Sequence, residues 1–185
     1  MQITKTDLIG VLVLNIDVFE DSRGYFFESY NKLKYEKYFG IRTDFVQSMQ
    51  SKSTKNTIRG LHYQVEPKAQ AKLVHVLSGK ILDVIVDIRN GSPSFGKHIA
   101  IELSESSKKQ VWIPVGFAHG FSVLSDEAEV AYLVSGFYSK REERGIIYND
   151  NDLNIDWKVN NPIVSEKDLR NKSISEIDLD FIYRD

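Results

Sequence analysis

The sequence predicts an all-β domain, a sandwich or a barrel. Through the middle of the chain, short runs rich in β-branched and aromatic residues follow one another, with turn signals about every 8 to 12 residues. Helical spacing of apolar residues is confined to two short stretches. No repeat, low-complexity tract or Pro/Gly/Ser linker interrupts the chain, and its only four prolines stand at 67, 93, 114 and 162. A single domain over residues 1–185 is therefore expected, with an extension from about residue 170 that carries no readable motif.

The elements follow in order. Residues 31–39 predict one short helix, with Leu33 and Lys37 or Tyr35 and Phe39 paired one turn apart. Arg59-Gly60-Leu61-His62-Tyr63-Gln64 reads as extended, as does the run that begins at Lys72. Ile81-Leu82-Asp83-Val84-Ile85-Val86-Asp87-Ile88 is a strand ending at the turn Asn90-Gly91. Ile99-Ala100-Ile101-Glu102-Leu103 and Gln110-Val111-Trp112-Ile113-Pro114 come next. Phe121-Ser122-Val123-Leu124 and Glu129-Val130-Ala131-Tyr132-Leu133-Val134 flank the turn Ser125-Asp126-Glu127. A second short helix is predicted from Ser165, an N-cap with Asp168 at the capping-box position.

Composition excludes several classes. Hydrophobic content of 42% and charged content of 27% describe an ordinary globular protein, and a net charge of −2 offers no attraction for nucleic acid or an anionic membrane. No run approaches the roughly 18 apolar residues of a membrane span. The first residues lack the apolar core of a signal peptide, so a cytoplasmic address is expected. With no cysteine, disulfides, thiolate nucleophiles and cysteine–zinc sites are excluded.

Within 59–64, alternation predicts Arg59, Leu61 and Tyr63 on one face and Gly60, His62 and Gln64 on the other. Histidine exchanges protons near neutrality, so His62 is a candidate base, set against the blander reading of a structural histidine. The four histidines (62, 75, 98, 119) form neither His-x-His nor His-Glu-x-x-His, and Gln64 is a poor ligand, so no metal is expected. Gly91-Ser92-Pro93-Ser94-Phe95-Gly96-Lys97 imitates a phosphate-binding loop, but His98 replaces the Ser/Thr and a strand follows; it reads as a connection.

Pro114-Val115-Gly116-Phe117-Ala118-His119-Gly120 predicts a sharp turn presenting His119, either for function or as a buried donor. Lys72 shares a face with Val74 and Val76, which means a snorkelling side chain or a cation held in a pocket. Tyr132 lies in an apolar strand. Asp83 and Asp87 read as a solvated strand face, or Asp83 orients a histidine. Neither Gly-x-Ser-x-Gly nor Gly-x-Gly-x-x-Gly occurs, which argues against a serine hydrolase and a bound dinucleotide.

Taken together, Asp21-Ser22-Arg23-Gly24-Tyr25-Phe26-Phe27-Glu28-Ser29, Phe45-Val46-Gln47, the 59–64 string, Ala69-Gln70-Ala71-Lys72-Leu73-Val74, the strand from Asp83, Ser92-Pro93-Ser94-Phe95-Gly96 and residues 112–120 closely resemble the dTDP-4-dehydrorhamnose 3,5-epimerase family of the cupin superfamily. Leu124-Ser125-Asp126-Glu127-Ala128-Glu129, Ile155-Asp156-Trp157 and Ser165-Glu166-Lys167-Asp168 extend the resemblance to about residue 170. It implies a jelly-roll β-barrel with a few short peripheral helices, a homodimer with active sites in the barrel mouths, and no cofactor.

By the resemblance, His62 is the general base, Tyr132 the proton donor, and Lys72 lies near the reacting carbonyl. Arg23, Glu28, Gln47, Arg59, His119, Glu143 and Lys167 fall on positions that bind the nucleotide sugar, and Tyr138 on the one that stacks on thymine. Asp83 is expected to hold the His62 tautomer, and Asp168 to cap its helix. The chain departs from the family at Ser48-Met49, where Asp-Asn is usual, which removes an amide contact. It departs again at Phe137-Tyr138, where one hydroxyl is absent.

The implied substrate is a dTDP-4-keto-6-deoxy sugar. Its C3 and C5 are both α to a ketone, so proton loss at either gives an enolate. A cation stabilises that charge, a base near neutrality starts the reaction, and an acid on the far wall completes the inversion. Inversion at both carbons leads. A 3-only or 5-only epimerase, a non-catalytic sugar-nucleotide-binding cupin and a metal-dependent cupin oxygenase stay open.

Overall fold

The structure, a computed structural model, describes residues 2–184; Met1 and Asp185 lie outside the described residues. Two antiparallel sheets face each other. The strands in chain order are β1 Gln2–Lys5, β2 Leu12–Asn15, β3 Phe19–Asp21, β4 Gly24–Phe26, β5 Gln47–Thr54, β6 Ile58–Gln64, β7 Lys72–Ser78 and β8 Lys80–Asp87. They continue with β9 Arg89–Asn90, β10 His98–Ser104, β11 Lys109–Ile113, β12 Phe117–Val123, β13 Glu127–Val134, β14 Glu143–Gly145 and β15 Phe181–Ile182. One sheet has the order β1-β2-β11-β7-β13-β5 and the other β10-β8-β12-β6-β14. This is the all-β jelly-roll arrangement expected, with the sheets packed as an open sandwich and not joined edge to edge into a continuous barrel.

Apolar layers explain the strand patterns. Val74 and Val76 from β7, Ile81 and Ile85 from β8, Phe117 and Phe121 from β12, and Val130 from β13 fill the space between the sheets. The outer face of the five-stranded sheet is also covered. Leu61, Tyr63, Leu82, Val84 and Val86 pack there against Ile146, Leu153, Trp157, Ile174 and Phe181. A strand apolar on both sides reads as a continuous run, which is how β8 reads. It also gives the segment beyond 170 a structural role.

On the outer face of the six-stranded sheet, Leu14, Leu73 and Trp112 pack against helix α1, Lys32–Phe39. Asn31 caps α1 by accepting from the Lys34 N–H, and Gly40 ends it in the left-handed conformation at φ 70°. Tyr35 and Phe39 are its buried pair, while Leu33 is exposed. The second expected helix is a short 3-10 turn, Asp168–Arg170. Ser165 Oγ accepts from the Asp168 N–H at 3.1 Å as an N-cap should, but the Asp168 carboxylate points elsewhere.

Three further expectations change. His119 does not sit on the turn at 114–116; it lies inside β12, 4% exposed. Asp83 and Asp87 are both 0% exposed, not solvated. Asp87 is satisfied by Arg89 and by the Ser92 and Ser94 hydroxyls, which ties down the loop that imitates a phosphate site.

The alternation within β6 also breaks. His119 pairs with His62 and Phe121 with Arg59, so the step on β6 is one residue longer than the step on β12. That bulge turns Arg59 onto the same cleft as His62. Gly60 permits it: φ is 124°, and a Cβ there would lie 2.5 Å from Gly120 Cα.

Candidate active site

At one end of the space between the sheets, the inner faces turn polar. Both sheets contribute to a pocket of about 280 Å³: Lys72, Tyr132 and Met49 from one, Arg59, His62 and His119 from the other. A wider groove of about 800 Å³ adjoins it, sharing Arg59 and His62 and running along Lys52, Ser165, Lys167 and Asp168.

His62 and His119 are directly opposed on neighbouring strands, yet each serves a different carboxylate. His62 Nε2 lies 2.6 Å from Asp168 Oδ1, and His119 Nε2 lies 2.7 Å from Asp83 Oδ1. Asp83 therefore orients a histidine, as one reading allowed, but that histidine is His119; the expectation that it holds His62 is corrected. Asp168 takes that place, beyond its expected capping role. The reason is spatial. Asp83 on β8 pairs with Phe121 of β12, which leaves it next to His119, while β6 lies on the far side of β12.

Asp168 also lies 3.5 Å from the Gly60 N–H. Burial alone would raise its carboxyl, but the His62 hydrogen bond, the His62 charge and the Gly60 contact together hold it below the usual range. A carboxylate so placed accepts from Nε2–H and leaves the lone pair of His62 at Nδ1.

Lys72 is half-buried, and its Nζ donates to the His62 carbonyl at 3.2 Å. Burial pulls its ammonium down to about 8, against the opposing fields of Asp83 and Glu143. Asp83 Oδ2, fully buried and without a hydrogen-bond partner of its own, acts on Lys72 through this field. Tyr132 stands on β13 with its hydroxyl 3.3 Å from Ser51 Oγ and its ring edge-on to His119. Burial pushes its phenol well above the usual value, so it is neutral and protonated near pH 7.

Around the mouth, Gln47 Oε1 accepts from the Tyr138 N–H, Tyr138 Oη donates to Glu143, and Lys167 Nζ donates to Glu143 at 2.6 Å. Burial would raise Glu143, but the bonds from Lys167 and Tyr138 bring it below its ordinary value. The half-exposed Tyr138 ring leaves an aromatic face open at the mouth, on which a planar group could stack. Arg59 donates to Ser53 Oγ at 2.8 Å, which leaves other guanidinium N–H groups for an anion.

Two expected residues do not reach this cleft within one chain. Arg23 sits on the β3–β4 hairpin, paired with Asp21 at 2.6 Å, and Glu28 pairs with Lys34 ahead of α1. Among the described residues, no three His, Asp or Glu side chains cluster as metal ligands.

A cupin sandwich with a His–carboxylate pair, a half-buried lysine and a half-buried tyrosine around one cleft is an arrangement able to move protons next to a carbonyl, as an isomerase does. The dTDP-4-dehydrorhamnose 3,5-epimerase family model matches residues 5–176, and the chain belongs to that family. It is 50% identical to the dTDP-4-dehydrorhamnose 3,5-epimerase of Shigella flexneri over 96% of this chain and 98% of that one. It superposes with a TM-score of 0.95 at 42% identity on the dTDP-6-deoxy-D-glucose-3,5-epimerase of Legionella pneumophila Philadelphia 1, solved in complex with dTDP-4-keto-L-rhamnose, covering 100% and 99% of the two chains. It also resembles a 3′-monoepimerase of Streptomyces bikiniensis in complex with dTDP-quinovose, at 27% identity and a TM-score of 0.86 over 92% and 86% of the chains.

Proposed function

We propose that this protein epimerises C3 and C5 of dTDP-4-dehydro-6-deoxy-D-glucose to give dTDP-4-dehydro-L-rhamnose. The observation that carries the proposal is the placement of the His62–Asp168 pair and Tyr132 on opposing sheets around one small pocket, with Lys72 beside them. His62 takes the proton from the carbon next to the ketone, and the charge passes to the carbonyl oxygen. Lys72 stabilises the enolate oxygen, the term that usually dominates such catalysis. Tyr132 returns a proton to the opposite face, so the centre inverts. A second cycle at the other α carbon completes the reaction. Asp168 stabilises the imidazolium, and Asp83 keeps His119 oriented toward the sugar.

Arg59 and Lys167 favour the diphosphate, and Gln47, Tyr138 and Glu143 the nucleoside. The protein acts as one domain in a cytoplasmic homodimer. The β3–β4 hairpin supports that assembly: Phe19 and Phe26 are 64% and 68% exposed on it, alongside Arg23. Packing them against a second copy would bury apolar surface and carry Arg23 and Glu28 toward the partner's cleft. Incubation with substrate in D₂O tests the reading. Deuterium is expected at both C3 and C5, and His62→Ala should abolish it. Deuterium at one carbon selects a monoepimerase, and normal turnover by His62→Ala overturns the base assignment.

A further inference from the structure

We infer that Met49 selects for the 6-deoxy sugar by seating its C6 methyl group, an inference that rests on the epimerase reading and assigns a determinant within it. The strand β5 alternates, with Gln47, Met49, Ser51 and Ser53 turned inward and the residues between them exposed. Met49 is the direct cross-strand partner of Tyr132. Partners directly opposed in an antiparallel pair project from the same face with Cβ atoms about 5 Å apart. Both side chains line the small pocket, and Met49 is the one aliphatic side chain in its wall. The aromatic walls Tyr63 and Phe121 are committed to apolar clusters, at 5% and 2% exposure. Met49 is half-buried and belongs to none of the apolar clusters.

The substrate matches this pattern. Every substituent of a 4-keto-6-deoxyhexose is polar except the methyl, and the methyl sits on C5. Tyr132 must reach C5 to protonate it, which brings the methyl within one bond of the Tyr132 neighbourhood that Met49 flanks. In the planar enolate the methyl lies in the ring plane, between the basic and acidic walls, and it keeps its contact with the thioether through inversion. A 6-hydroxy sugar would place a hydroxyl against the Met49 thioether, a poor hydrogen-bond partner.

The test compares inhibition by dTDP-6-deoxyglucose and dTDP-glucose, which differ only by the hydroxyl on C6, in the full-length enzyme. Wild type should favour the deoxy compound roughly 5- to 150-fold, the usual range for seating an unpartnered hydroxyl. Met49→Asn should bring the ratio to within about threefold of unity, and Met49→Leu should keep most of it. Equal inhibition of wild type by both compounds would overturn the inference, as would an unchanged ratio in folded Met49→Asn. If neither compound binds folded wild type, the epimerase reading fails first and the inference falls with it.

Discussion

Replacing Asp168 by Asn isolates the contribution of the carboxylate behind His62. The change preserves size and removes one negative charge from a side chain only 5% exposed, 2.6 Å from the imidazole. A hydrogen bond to a charged group is worth about 1.5–3 kcal/mol. That stabilisation is fully developed only when His62 has taken the proton, so its loss falls on kcat. At 1.36 kcal/mol per tenfold, turnover should drop roughly 10- to 200-fold. An amide that turns its NH₂ toward His62 would also reverse the tautomer and move the loss to the upper end. KM should stay within about threefold, because the carboxylate lies behind the histidine.

The assay is deuterium incorporation at C3 and C5, followed by NMR in D₂O, with circular dichroism confirming the fold. A folded Asp168→Asn enzyme within twofold of wild type would refute the dyad. Stability gives a second readout. The Asp168 carboxyl is held below its unfolded value of about 3.8, so its stabilising contribution is present above that pH and lost as pH falls through the folded value. The Asn variant should lack this part of the acid sensitivity.

Lys72, held near 8, should make kcat/KM fall as pH rises through about 8; Lys72→Met should lose about 100-fold or more in turnover together with that alkaline limb. Between about 8 and 10.5 the folded state binds fewer protons than the unfolded one, so stability should rise with pH across that window in wild type and flatten in Lys72→Met, as read by denaturant melts. Tyr132→Phe should cut inversion about 100- to 10,000-fold while His62 still removes substrate protons, so loss of tritium from labelled substrate with full inversion would contradict the donor role. Gly60→Ala meets both a φ of 124° and a Cβ 2.5 Å from Gly120 Cα, so it should cost about 2–4 kcal/mol and lower Tm by roughly 5–15 °C. An unchanged Tm would show that the bulge tolerates a side chain.

The family resemblance picked out His62, Lys72, Tyr132 and His119 as candidates, while by itself the residue pattern determined the strands of the middle of the chain and the helix α1. Those features depend on local spacing, which a linear reading captures. Only the tertiary structure decided the partnerships. His62 and Asp168 are 106 residues apart, and the Ser165-Asp168 spacing that reads as a capping box concealed the carboxylate's contact with His62. Asp83 went to His119 because β12 separates β8 from β6. Arg59 joined His62 on one face because a bulge, permitted by two glycines in close approach, adds a residue to β6 and reverses its alternation. Period-two patterning assumes an unbroken ladder. A bulge and a long-range pair are set by the neighbouring strand and the chain's return path, neither of which has a local signature in the residues themselves.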